Sequence, residues 1–172
     1  MQTDLEELKR RAQAHLAEDI EFRRYVRDHH ISDHPLRERV AELLAGVDCQ
    51  QCANCCRETR VPVTRSEIAS IAAHLRMTPW EVGRMYTETG EGKDEILLKQ
   101  TGGQCVFLDH GQCITYAARP EPCRQFPAIA LHADLLGNRM SSVCRQASIC
   151  PVVFEALEEF KHRTGFHARN LA

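Results

Sequence analysis

Cys49, Cys52, Cys55 and Cys56 fall within one run, Cys49-Gln-Gln-Cys52-Ala-Asn-Cys55-Cys56, in a chain that carries nine cysteines. The other five, Cys105, Cys113, Cys123, Cys144 and Cys150, are dispersed along residues 105–150. Thiolates are soft ligands that suit zinc and iron–sulfur clusters, so the first expectation is a metal centre at which the dense group and the dispersed group meet. The competing chemistry is a disulfide framework, which belongs to oxidising compartments. The N-terminus, Met1-Gln-Thr-Asp-Leu-Glu-Glu-Leu-Lys-Arg10, is charged and amphipathic rather than a secretory leader, and a cytoplasmic location is expected. An odd number of cysteines also prevents complete internal pairing, and Cys55 and Cys56, on adjacent backbone positions, are expected to point in different directions.

At 172 residues the chain has room for one ordinary domain. Apolar residues make up 43% and charged residues 27%, an ordinary globular composition, and no apolar run is long enough to span a bilayer. The net charge of −2 supplies no overall basic field. Neither nucleic acid nor membrane is therefore expected as a partner. A protein partner is, and the oligomeric state is left open.

Positioning such a site requires elements on both sides of it. Leu5, Leu8, Ala12, Leu16 and Ile20, followed by Phe22, Tyr25 and Val26, form an apolar stripe of helical period that predicts one long amphipathic helix ending near Asp28–His34. A second helix is predicted over 35–45, opened by Pro35 and stopped by Gly46. Thr64 with Glu67 makes a capping box for a helix over 65–75, and Thr78-Pro79 opens another through Tyr86. This pair reads as two packed core helices rather than a DNA-binding helix-turn-helix, because the second carries Glu81, Glu88 and the single arginine Arg84. Residues 96–98 and 106–108 read as short strands, with Asp109-His110-Gly111 as a turn that brings Cys105 and Cys113 together across one hairpin. Residues 128–136 read as extended, with Gly137-Asn138 as a turn, and Pro151 opens a last helix ending near Gly165. No internal repeat is read. The expected architecture is α+β and mostly helical. A helical arm over 1–46 precedes a small irregular cysteine-cluster domain over 47–172, with short strands and a C-terminal helix organised around a cysteine-ligated metal.

Read together, Cys49-x2-Cys52-x2-Cys55-Cys56, Gly103-Gln-Cys105-Val-Phe107-Leu108 and Cys113-x2-Tyr116-x2-Arg119-Pro120-x2-Cys123-Arg124-Gln-Phe126-Pro127 resemble the YkgJ-type CxxCxxCC cysteine-cluster family. The resemblance covers roughly residues 45–150 and implies a zinc- or iron-chelating domain. A related cluster in flagellin lysine N-methylases implies an iron–sulfur centre, although the methylase activity itself does not carry over, since no glycine-rich cofactor loop is present. Thr115 stands where that family usually has an apolar residue, a departure expected to leave the cysteines untouched.

The expected metal ligands are Cys49, Cys52, Cys55, Cys56, Cys105, Cys113, Cys123 and Cys144. Cys49, Cys52 and Cys123 lead, joined by one of the adjacent pair. Crowding of Cys49, Cys52 and Cys55, with isolated later cysteines, resembles iron–sulfur ligation more than two zinc knuckles. The expected cofactor is therefore an iron–sulfur cluster of the [4Fe–4S] type, with zinc as the alternative. Arg119 and Arg124 flank Cys123 and are expected, with Tyr116, to surround the thiolates and offset their charge. Asn54 and Gln125 are weaker candidates for the same role. Cys150, just before Pro151, is the expected spare thiol, with a buried apolar role as the alternative. His29, His30 and His34 read as a solvated helix end. Phosphate-loop, zincin and nucleophile-elbow motifs are absent, and a Cys–His pairing through His110 or His132 is disfavoured because the cysteines are committed to metal. The functional expectation is a metal-binding protein in a redox, electron-transfer or modification-accessory role. A zinc-stabilised interaction module is the alternative.

Overall fold

The computed structural model describes residues 4–130 and 136–168. In chain order the helices are α1 (Leu5–Ala14), α2 (Leu16–Asp28), α3 (His34–Ala45), α4 (Cys49–Cys52), α5 (Asn54–Glu58), α6 (Arg65–Leu75) and α7 (Pro79–Tyr86), then α8 (Glu121–Arg124), α9 (Leu136–Ala147) and α10 (Pro151–Arg163). Between α7 and α8 run β1 (Thr87–Thr89), β2 (Ile96–Leu98), β3 (Gln100–Thr101), β4 (Gln104–Cys105), β5 (Leu108–Asp109) and β6 (Gln112–Cys113). The strands pair antiparallel as β1–β2, β3–β4 and β5–β6. The fold is thus α+β and mostly helical, as the sequence predicts. Among the described residues no helix is long and apolar enough to cross a membrane.

Packing divides the chain into two compact units, one of residues 1–48 with 127–172, the other of residues 49–126. The cut falls two residues beyond the expected boundary at Gly46, and α10 belongs with the N-terminal helices.

In the helical unit, α10 packs on α3 and α9, and α2 packs on α9. Leu8, Phe22, Val26, Leu36, Val40, Met140, Val143, Val153, Phe154, Leu157 and Phe160 are buried there. The predicted long first helix is interrupted at His15, which has φ −88° and ψ −3°. Leu16 and Ile20, expected in the buried stripe, are 45% and 50% exposed. The reading of 137–138 as a turn is overturned, because Gly137 and Asn138 lie inside α9. Burial of Met140, Val143 and Ala147 on one face of that helix outweighs the local turn preference. Ala128–Ala130 forms a 3-10 turn rather than extended chain. Residues 131–135, including His132, lie outside the described residues.

In the cysteine unit, α6 and α7 form the predicted packed pair. Both begin with a complete capping box, Thr64 with Glu67 and Thr78 with Glu81. Their inner faces, Ile68, Ile71, Ala72 and Val82, close over Val61, Val63, Leu98 and Phe107. The segment 61–63 lines the far edge of β2, through Val63 N–H to the Ile96 carbonyl (2.8 Å) and Leu98 N–H to the Val61 carbonyl (2.9 Å).

Candidate metal centre

Cys49 and Cys52 sit on α4, Cys55 and Cys56 on α5, Cys105 on β4, Cys113 on β6 and Cys123 on α8. The joint between α4 and α5 is Ala53, which adopts a left-handed conformation (φ 51°) while only 3% exposed. A non-glycine residue in that region costs about 1–2 kcal/mol. The conformation ends α4 and restarts the chain as α5 after one residue. Arg57 ties the two short helices by donating from Nη1 to the Cys52 carbonyl (3.0 Å). α5 packs on β4 and α4 on β6.

The dispersed cysteines arrive on two consecutive hairpins of the same design. Gly102 and Gly103 (φ 61° and 81°) turn β3 into β4, and His110 and Gly111 (φ 44° and 81°) turn β5 into β6. Positive φ at both central residues is the two-residue turn whose twist matches that of paired strands. Each return strand then reads Gly-Gln-Cys-apolar, Gly103-Gln104-Cys105-Val106 and Gly111-Gln112-Cys113-Ile114. Equivalent bonds close each ladder, Val106 N–H to the Lys99 carbonyl and Ile114 N–H to the Phe107 carbonyl, both 3.0 Å. This short repeat escaped the sequence reading, and its signal was the recurrence of Gly-Gln-Cys. It also corrects the expected hairpin. Cys105 faces Gln100 and Cys113 faces Leu108, so the two cysteines lie on successive hairpins rather than across one.

Cys123 is placed by α8. The amide of Glu121 donates to Glu67 Oε1 (2.7 Å), fastening α8 to the start of α6. Burial opposes ionisation of Glu67, but the amides of Glu121 and Thr64 and the Thr64 hydroxyl prevail and hold its carboxyl below the usual range.

These elements bring Cys56, Cys105, Cys113 and Cys123 within electrostatic reach of one another. Burial pushes the Cys105 thiol up to about 11, with Cys56 and Cys113 adding to the rise. Burial likewise pushes Cys123 up to about 12, with Cys56, Cys105 and Cys113 adding to it and Arg119 opposing it. Cys56 is raised furthest, first by its hydrogen bond with Cys55 and then by burial, against Arg57 and Arg119. That hydrogen bond overturns the expectation that the adjacent thiols diverge. Cys105, Cys113 and Cys123 also lean on the apolar core, which explains the desolvation of Cys105 and Cys123. Three of these thiols, Cys56, Cys105 and Cys123, are costly to ionise, and with Cys113 beside them they form a site that a metal cation would complete.

Arg119 supplies a test of that fit. Its guanidinium carbon lies 3.4 Å over the Tyr116 ring, it lowers both Cys56 and Cys123, and its Nε is buried without a hydrogen-bond partner. A buried cationic N–H within electrostatic reach of Cys56 and Cys123, with no acceptor among the described residues, fits an anionic thiolate-ligated centre. Tyr116 holds Arg119 from below. Arg124 is committed differently, to the carboxylate of Glu121 and to the Arg119 carbonyl, so it braces Arg119. Gln125 also bonds Glu121. Asn54 is buried at the start of α5. Thr115, expected to leave the cysteines alone, is buried with its hydroxyl 3.6 Å from Cys113 Sγ.

The remaining cysteines belong to the helical unit. Cys144 is on α9, where burial and then the Asp19 carboxylate raise its thiol to about 12. Cys150 caps the start of α10 as predicted and is 7% exposed.

The uncharacterized protein MJ0661 of Methanocaldococcus jannaschii is 36% identical over 81 residues, which is 46% of this chain and 43% of the relative. The match thus spans less than half the length of that relative. No solved structure matches. The model of a family described as a "putative zinc- or iron-chelating domain" matches residues 48–151, more than half of the chain. Cysteines spaced as Cys49-x2-Cys52-x2-Cys55-Cys56, with the later cysteines of the matched segment, are thus those of a metal-binding domain, and the chain belongs to the CxxCxxCC family.

Proposed function

We propose that Cys56, Cys105, Cys113 and Cys123 hold an iron–sulfur cluster of the [4Fe–4S] type and that the protein serves in electron transfer, redox sensing or support of a partner protein's modification chemistry in the cytoplasm. The observation that carries this reading is the mutual electrostatic reach of Cys56, Cys105, Cys113 and Cys123 beside Arg119, whose charge acts on Cys56 and Cys123 and whose buried Nε has no hydrogen-bond partner among the described residues. Spacing supports a cluster over a single zinc. Four thiolates at about 2.3 Å from one tetrahedral ion lie about 3.8 Å apart. Among the described residues no three cysteine sulfurs gather within 4.8 Å of one another. A cluster interposes several irons between its ligands and asks for no such closeness. When bound it would supply one-electron chemistry. Arg119 would donate to sulfur and offset the negative charge, Tyr116 would hold that guanidinium in place, and the apolar core beneath Cys105, Cys113 and Cys123 would keep water out. Cys49, Cys52 and Cys55, on the adjoining short helices, stand in reserve as exchange ligands or a second site. Cys144 is left out of the set because its thiol is engaged by Asp19.

A structural zinc role is the second reading, favoured by the packing of three cysteines against the apolar cluster, where a metal would extend a small core. Anaerobic purification with iron, zinc and sulfide analysis and a visible spectrum separates the two. A brown, reducible protein with iron and acid-labile sulfide supports the cluster. A colourless protein with stoichiometric zinc supports the structural role.

A further inference from the structure

The helical unit carries a second set of convergent ligands that contains no sulfur. α1 and α2 are interrupted at His15, between Ala14 and Leu16, without a proline or glycine to break the helix. The interruption sets the His15 ring edge-on to Phe154 (5.6 Å), with Nδ1 2.8 Å from Glu158 Oε2 on α10 and 3.9 Å from Glu18 Oε2 on α2. The three ligand atoms lie within 4.8 Å of one another. Nδ1 is buried, and its near neighbour is the Glu158 carboxylate at 2.8 Å. That separation and the 4.8 Å grouping are compatible with neighbouring ligands of one ion. Metal–ligand distances near 2.1 Å place adjacent N and O donors about 3 Å apart.

The other carboxylate oxygens are already committed. Lys161 Nζ lies 2.6 Å from Glu158 Oε1, 3.0 Å from Glu18 Oε1 and 2.6 Å from Asp19 Oδ1, with its side chain 3% exposed. Each glutamate therefore gives Oε1 to the ammonium and turns Oε2 toward His15, the arrangement by which outlying groups orient metal ligands. Three carboxylates against one ammonium leave an excess of negative charge on Glu18, Asp19, Glu158 and Lys161, which a divalent cation would offset. We infer that His15, Glu18 and Glu158 form a binding site for a divalent first-row cation of the manganese or ferrous class, separate in its ligands from the cysteine centre. One imidazole and two carboxylates suit such ions and do not select for the thiophilic ones.

The test is titration of the full-length, reduced protein with Mn2+, read by the electron paramagnetic resonance of free Mn2+. Wild type is expected to bind about one Mn2+ saturably, since nitrogen and oxygen donors suit that ion and thiols do not. Cys56→Ser should bind it equally. His15→Gln and Glu158→Gln should bind roughly tenfold more weakly or not at all, helicity being checked by circular dichroism. Because Glu158→Gln also disturbs Lys161, a second readout uses wild type alone. Mn2+ should broaden the His15 ring resonance before those of His74 and His110. Absence of saturable binding, equal affinity in His15→Gln, loss of binding in Cys56→Ser, or an unbroadened His15 resonance would each overturn the inference.

Discussion

Replacing Arg119 by glutamine separates a residue that serves the metal from one that merely holds the fold. In the metal-free protein the guanidinium contributes a cation–π contact with Tyr116 at 3.4 Å, worth about 0.5–2 kcal/mol. Against this stands its buried, unpartnered Nε, which costs about 1–3 kcal/mol. The two nearly cancel, so the thermal midpoint of the metal-free Arg119→Gln variant should stay close to wild type. In the loaded protein the same N–H gains an anionic acceptor, and a charge-assisted bond contributes about 1.5–3 kcal/mol. Its loss should weaken metal retention about 10- to 150-fold, that energy converted at about 1.4 kcal/mol per tenfold. Arg119→Lys keeps the charge but not the planar fork and should fall between. The assay is competition with a graded chelator under anaerobic conditions, metal being measured in the protein fraction, with calorimetry of the stripped samples beside it. Retention in Arg119→Gln equal to wild type would refute the reasoning. So would a metal-free variant destabilised as much as the loaded one, since Arg119 would then be an ordinary structural residue.

Other outcomes follow from the same contacts. Because Cys105 and Cys123 are raised to about 11 and about 12, their thiols are protonated at neutral pH without metal, so loading should release protons and apparent affinity should climb with pH, as calorimetry in buffers of different ionisation enthalpy would record. The sign reverses for the metal-free fold. Folded-state values above the ordinary 9.0 give a contribution that is complete below pH 9 and lost as pH rises toward 12, visible in denaturant titrations under reducing conditions. Lys161→Met leaves the buried Asp19 and the half-buried Glu158 without their cation and should cost about 3–5 kcal/mol, read as a large drop in the unfolding midpoint of the helical unit, whereas an unchanged midpoint would show the network to be inert. At Ala53, valine should loosen the cysteine unit by about 1–2 kcal/mol or more because a branched side chain resists the left-handed turn, whereas glycine should be tolerated; hydrogen exchange of α4 and α5 would report both.

What could be read from the chain is what neighbouring residues decide among themselves. The capping boxes at Thr64 and Thr78, Pro151 opening α10 and Gly46 ending α3 are local chemistry, and each stands where the sequence puts it. The family motif likewise announced a metal-binding domain before any coordinate. The misreadings were decided at longer range. His15 interrupts a continuous apolar stripe, and its ring is held against Phe154 and Glu158 of α10, far away in sequence. Gly137-Asn138 lost its turn to a helix whose apolar face is buried. The run Val106-Phe107-Leu108 looked like one strand because apolar content cannot reveal that turns at Gly102-Gly103 and His110-Gly111 cut it into two hairpins. Arg119 was legible as a candidate beside Cys123, but its separation in role from Arg124 rests on which acceptors each finds, and no spacing encodes that.

The central claim is that Cys56, Cys105, Cys113 and Cys123 together hold the metal. It is tested most directly by metal and sulfide analysis of anaerobically purified single serine variants at those four positions, with Cys144→Ser as the control. The account expects each of the four to lose most of its metal and Cys144→Ser to keep the wild-type content. Full occupancy in the Cys56→Ser and Cys123→Ser proteins, or loss in Cys144→Ser equal to theirs, would contradict it.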